Sequence, residues 1–390
     1  MSAQDVNEEA LAALQRLADA LSNLDDGGID TANPIRLSHW RDLTDDVKAA
    51  YKMLDEGAEL VRATSTKYTL VGKISMEDGK KLATDLRRGC ELVGTGAVLL
   101  HAPNSGCARS TRTHAKKSAR AVVASTIHLI NGFLDRTAFT ENVGAQRTGA
   151  VWSICDAVAK VPRGNRSAMR RDLLTWAGEC NDTMQEFAAI VKLGPVRGGA
   201  ATDGAGPSWD DFCETETGTG DLYTHGEIGV VEACLALIKC SRGAIGACLK
   251  AAEAAGDEVA RYNDSKENDG SEIEERKTAV LRWIQELHDS ARTLGDGVTD
   301  LGCLLYPPLE LLGRRSISDA SGDKIKSELA IQLERQRDAV LAVTVAILDA
   351  SPNGKEIIPI PEEVSDISSK LVTACGKRFN EAKAAMKAIA

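Results

Sequence analysis

The chain of 390 residues carries 47 Lys and Arg against 57 Asp and Glu, a net charge of -10. Hydrophobic residues are 43% and charged residues 27%, which excludes a chain disordered throughout and leaves room for two domains. Aromatics are only 4%, too few for a sheet protein, so helix formers set the fold class.

The first residues, MSAQDVNEEA, are acidic and polar where a signal peptide needs a basic start and an apolar stretch. The longest nearly clean apolar run, Ala339 to Leu348, is half of the roughly 20 residues that a membrane helix needs, so no span is expected. The ten cysteines contain no C-x-x-C pair and several fall on apolar helical positions. They read as reduced core thiols in the cytoplasm or nucleus.

Residues 1–33 hold a leucine-spaced helix, Leu11, Leu14, Ala18 and Leu21, read as an N-terminal helical appendage. Its two heptads are too few for a zipper, and burial against its own domain is the better reading. Asn33-Pro34 supplies a cap with proline in the first turn, ahead of Leu37, Trp40, Leu43, Val47, Ala50, Leu54, Ala58 and Val61 at steps of three or four. Ser75 and Asp78 resemble a capping box before Leu82, Leu86, Val93 and Leu100, and a break at Pro103-Asn104 precedes Ala119, Val123, Ile130 and Phe133. Val151, Ile154 and Val158 mark another helix stopped near Pro162, and Leu173, Ala177, Cys180, Met184, Phe187 and Val191 the next. About five amphipathic helices over 34–193 are most economically hidden as an antiparallel bundle.

Residues 194–221 break the spacing with repeated glycine and proline and six acidic side chains against Arg197, an acidic Gly-rich linker. Helical spacing resumes at Val230, Cys234, Leu237, Ile245 and Cys248, then at Val280, Trp283, Leu287, Ala291, Leu294 and Val298 behind Ser271 and Glu274. Pro307 and Pro308 should end or kink that helix, Leu329 to Ile347 mark another, and Pro361 begins the last. The expected fold is therefore all-α, with a second bundle of four to five helices over residues 222–390.

Charge is uneven. Residues 34–193 carry a net +7 and the remainder -17, so the first half suits an acidic partner or the protein's own linker. None of the six histidines has a carboxylate three residues before it, as a di-metal helical site requires. The phosphate-cradling G-x-x-x-x-G-K-[ST] loop is absent, and Gly94-Thr95-Gly96 sits inside a helical pattern where small residues serve close packing. Neither an enzyme nor a cofactor is expected. The basic stretch Arg109, Arg112, His114, Lys116, Lys117 and Arg120 lacks interleaved aromatics and reads as a solvated helix face, without direct nucleic-acid binding. Arg163, Arg166, Arg170 and Arg171 open a helix, where cations oppose the dipole and call for an acidic neighbour. These four arginines are the candidate partner-binding residues.

The segment Thr148 to Leu174 holds Val151-Trp152 and Val161-Pro162-Arg163-Gly164-Asn165, and it resembles the mid-chain signature of the cyclin-D-binding protein family, GCIP (Grap-and-cyclin-D-interacting protein). Trp40-Arg41-Asp42-Leu43, Asp221-Leu222-Tyr223 with Glu232 to Ser241, and Leu305-Tyr306-Pro307-Pro308-Leu309 resemble further blocks of that family in the same order. The resemblance implies an all-α interaction protein of nucleus and cytoplasm. It would bind D-type cyclin and helix-loop-helix proteins and restrain cell-cycle progression. The same positions also read as plain structural residues, with Trp152 a core anchor, Pro162 a helix stop and Arg163 a helix start. The alternative is a cytoskeletal or membrane-surface adaptor of vinculin- or talin-like type, favoured by the basic net charge of the first half.

Overall fold

A computed structural model describes residues 3–25, 43–72, 76–135, 142–195, 222–264, 270–307, 309, 320–350, 358 and 360–389. The readings at Asn33-Pro34, Trp40, Ser75 and the acidic stretch 196–221 lie outside these residues. Among the described residues the backbone forms ten α-helices, one 3-10 turn and no strand, so the all-α expectation holds. The chain divides into two compact units, Met1–Arg171 and Asp172–Ala390.

The first unit is built from α1 (Ala3–Ser22), α2 (Asp45–Gly72), α3 (Met76–His101), α4 (Arg109–Leu134), α5 (Val143–Val158) and the first turns of α6 (Asn165–Lys192). Asp45 and Asp46 begin α2, where carboxylates favour the positive end of the helix dipole. The apolar stripe read from the sequence is the buried one: Tyr51, Leu54 and Val61 of α2 meet Leu86, Val93 and Leu100 of α3 in one core. Each such side chain contributes about 1.5–3 kcal/mol on burial. Glycine lets α2 and α3 approach, since a Cβ on Gly57 would lie 2.6 Å from the Gly89 carbonyl oxygen. Gly96 likewise faces the Ala50 carbonyl, and Gly94 faces Leu17 of α1, so the Gly-x-Gly pair serves helix packing on two sides. The helix α1 packs on α3 and α4 with Leu14 and Leu21 fully buried, and α5 packs on α2 and α4.

The second unit holds the rest of α6 with α7 (His225–Asp264), α8 (Gly270–Cys303), α9 (Ala320–Leu348) and α10 (Glu362–Ala388). The helix α7 touches α8, α9 and α10, while α9 also packs on α8 and α10. A capping box starts α7: the Thr224 N–H donates to Glu227 Oε2 at 2.8 Å and the Glu227 N–H to Thr224 Oγ1 at 3.3 Å. The helix α8 ends at Cys303, four residues ahead of Pro307, and Pro361 caps α10, whose first turn carries Glu362 and Glu363. From α6, Trp176 lies against Gly295 and 5.2 Å from the His288 ring, and Phe187 meets Tyr306 edge-on.

All nine cysteines among the described residues are free, eight of them buried and Cys303 exposed. Burial pushes the thiols of Cys90, Cys155, Cys180, Cys234 and Cys375 up to about 12, which keeps them neutral and unreactive.

Candidate functional site

The turn between α5 and α6 is held from two sides by side chains that no local pattern connects. Gly164 adopts φ 89°, a left-handed conformation that glycine takes without a Cβ penalty. Tyr51 of α2, fully buried, donates its hydroxyl to the Pro162 carbonyl and accepts the Gly164 N–H, both at 3.1 Å. Burial pushes this phenol up to about 12, so it stays protonated and keeps both bonds. Asn165 binds the other side. Its Oδ1 accepts from the Ala108 N–H at 2.7 Å and from Thr111 Oγ1 at 2.8 Å, and its Nδ2 donates to the Gly106 carbonyl at 2.8 Å. The residue that opens α6 thereby also ties down the start of α4.

Arg163 projects from this turn over the Tyr51 ring, 4.7 Å from its centroid, and pairs with Asp55 of α2 at 2.6 Å. The acidic neighbour of Arg163 is thus Asp55, one turn after Tyr51 on the same helix. Arg171 donates to the Lys160 carbonyl at 2.7 Å. Arg166 is half-buried and Arg170 exposed. Arg163 thus stands in the turn ahead of α6 and faces α2, while Arg166, Arg170 and Arg171 lie on the first two turns of α6.

Between α2 and α5 lies an open groove of about 470 Å³, lined among others by Asp55, Glu59, Arg62, Cys155, Asp156 and Arg163. Two ion pairs cross it, Arg163 to Asp55 and Arg62 to Asp156 at 2.9 Å. Beside it, Trp152 stacks on the Arg62 guanidinium, 5.5 Å from ring centroid to carbon, and donates its indole N–H to Thr66 Oγ1 at 3.2 Å. Trp152 is 38% exposed whereas Val151 is fully buried, so the core anchor of the Val-Trp pair is the valine. The tryptophan belongs to the surface, which corrects the reading of it as a core residue.

Sequence reasoning found Arg163 and Trp152 but missed Tyr51, Asp55, Arg62 and Asp156. Their partners lie about a hundred residues away along the chain, and no spacing rule links them. Among the basic residues of α4, Lys116 donates to the Leu24 carbonyl just past the end of α1, and Lys117 and Arg120 are exposed. Among the described residues no group of three His, Cys, Asp or Glu side chains is placed to hold a metal ion, and no helix is long and apolar enough to cross a membrane.

Residues 53–192 match the sequence model of the family described as Grap2 and cyclin-D-interacting, N-terminal. A cyclin-D1-binding protein 1 homolog from Danio rerio is 24% identical over 166 residues, which cover 42% of this chain and 41% of that protein. The match therefore spans about two fifths of that curated relative. Groove, Trp152 and the α5–α6 turn all fall inside the matched residues.

Proposed function

We propose that the chain, whose residues 53–192 match the model of the family described as Grap2 and cyclin-D-interacting, N-terminal, is a non-enzymatic regulator whose α2–α5 face binds a protein partner, a D-type cyclin first among them. The observation that carries this reading is Trp152, an exposed aromatic held flat by Arg62 beside a groove with charged walls. Tryptophan and arginine supply most binding energy where interfaces have been dissected, and both are here fixed in place before any partner arrives. The ion pairs on either side of the groove offer charge-matching to an incoming surface that is itself mixed in sign. A regulator of cell-cycle progression acting in nucleus and cytoplasm follows as the biological setting of this proposal.

Affinity purification of the tagged full chain from its own cells tests it. Recovery of a cyclin or its kinase with the native chain, lost with Arg62→Ala plus Trp152→Ala, supports the reading. Recovery of cytoskeletal proteins alone favours the adaptor reading instead, and an unchanged partner set with the double variant removes the α2–α5 face from the account.

A further inference from the structure

The seam between α2 and α5 also specifies the shape of what rests on it. Two rows of side chains flank it, Glu59, Arg62, Thr66 and Leu70 on α2 and Gly149, Trp152 and Asp156 on α5, each at steps of three and four. Arg62 pairs with Asp156 at 2.9 Å, Trp152 donates to Thr66 at 3.2 Å, and Thr69 meets Thr148 at 2.6 Å. The residue numbers rise on one helix as they fall on the other, so the rows are antiparallel. At a rise of about 1.5 Å per residue the α2 row is about 16 Å long, some three turns of helix.

The two ends of the seam differ. Leu70, one turn past Thr66, is 63% exposed and makes an apolar end together with Trp152. Gly149 follows Thr148 on the solvent side of α5, and a Cβ there would meet nothing within 4 Å. Glycine inside a helix costs stability relative to alanine. At Gly57 that cost admits the Gly89 carbonyl of α3, whereas Gly149 admits no neighbour and leaves bare backbone beside the indole. A partner side chain can lie close there. At the other end Arg62 answers Asp156 and Arg163 answers Asp55, while Glu59, on the groove wall between them, has no ion pair among the described residues. That end calls for a cation.

We infer that the partner lays an amphipathic α-helix along this seam, with apolar side chains over Gly149 between Leu70 and Trp152 and a basic side chain about three turns away at Glu59. A helix fits better than an extended segment. The backbone groups of α2 and α5 are bonded within their own helices, so a strand would find no main-chain partner on this face. A helix satisfies its own backbone and presents side chains at the same steps of three and four as the two rows. The inference rests on the α2–α5 face being the docking site and adds the form and chemistry of what docks.

The probe is a lactam-bridged helical peptide of about four turns, with two leucines one turn apart near one end and an arginine about three turns from the outer one. It is titrated into the full chain while the Trp152 indole N–H resonance is followed. The shift should saturate, and an unbridged version with a central proline should bind at least about tenfold more weakly. Gly149→Gln should weaken the helix at least about tenfold while the unfolding midpoint holds or rises, glutamine being the better helix former at an exposed position. Leu70→Asn should weaken it about tenfold and Leu70→Met little. No saturable shift, equal binding of the proline version, or full affinity in Gly149→Gln overturns the inference. If the helix gives no shift but a D-type cyclin binds and is lost with Arg62→Ala plus Trp152→Ala, the docking face stands and its helical occupant falls. If the helix binds and no cyclin does, the helical occupant stands and cyclin as its source falls.

Discussion

In the first unit, buried polar side chains meet one another across long stretches of chain: Tyr68 donates to Asn7 Oδ1 at 2.9 Å, Thr69 and Thr148 share a hydrogen at 2.6 Å, and Asn165 makes three bonds. In the second, Gln285 Oε1, Gln336 Oε1, Ser368 Oγ and both ring nitrogens of His288 are buried without a hydrogen-bond partner among the described residues, although His288 lies 3.4 Å from the Asp172 carboxylate. Among the described residues of the first unit, side-chain atoms without a hydrogen bond sit only on half-buried residues such as Arg109, Arg112 and Thr113. An unsatisfied buried group costs about 1–3 kcal/mol. Among the described residues, the second interior therefore tolerates penalties that the first has closed off.

Alkaline pH gives the largest effect, and it should not distinguish the units. Buried thiols raised from 9.0 to about 12 occur in both, Cys90 and Cys155 in one and Cys180, Cys234 and Cys375 in the other. Between those two values the unfolded chain has lost protons that the folded chain still holds, so stability is complete below pH 9 and falls as pH rises toward 12. Chemical denaturation at intervals over that range should show a steady decline; a flat profile would mean that these thiols are not shielded.

Substitutions should then separate the two interiors. Asn165→Ala strands the Ala108 N–H, the Thr111 hydroxyl and the Gly106 carbonyl together and should cost about 3 kcal/mol. Tyr51→Phe removes one donor and one acceptor and should cost about 2 kcal/mol, both read from urea unfolding. Gln336→Met, similar in volume, removes an orphan along with two bonds and should change stability by less than about 1 kcal/mol. A loss as large as that of Asn165→Ala would erase the contrast. The smallest effect concerns reactivity alone: in the folded protein Cys303 should be alkylated well before the eight buried cysteines, as peptide mapping by mass spectrometry will show.

Helix spacing made the all-α class and most of the core legible, because one apolar face per helix is a local property: Leu54, Leu86, Leu287 and Val340 are all fully buried where the pattern places them. Caps were less accessible. The Thr224 and Glu227 box at the start of α7 escaped notice because no strong apolar run sets in until Val230. Nor does the sequence show which residue of the Val151-Trp152 pair faces inward, since neighbours on a helix point about 100° apart and both are apolar. Least legible was the site itself. Arg163 stands out as a cation at a helix start, but Asp55 and Tyr51, which give it a fixed position, are joined to it only by the packing of α2 against α5.

Isothermal titration of the purified full chain with a D-type cyclin, with and without Arg62→Ala plus Trp152→Ala, tests the central claim most directly. The account predicts binding that weakens by at least about tenfold in the double variant while its helical circular dichroism and unfolding midpoint stay close to those of the parent chain. Equal affinity in the two proteins would contradict it.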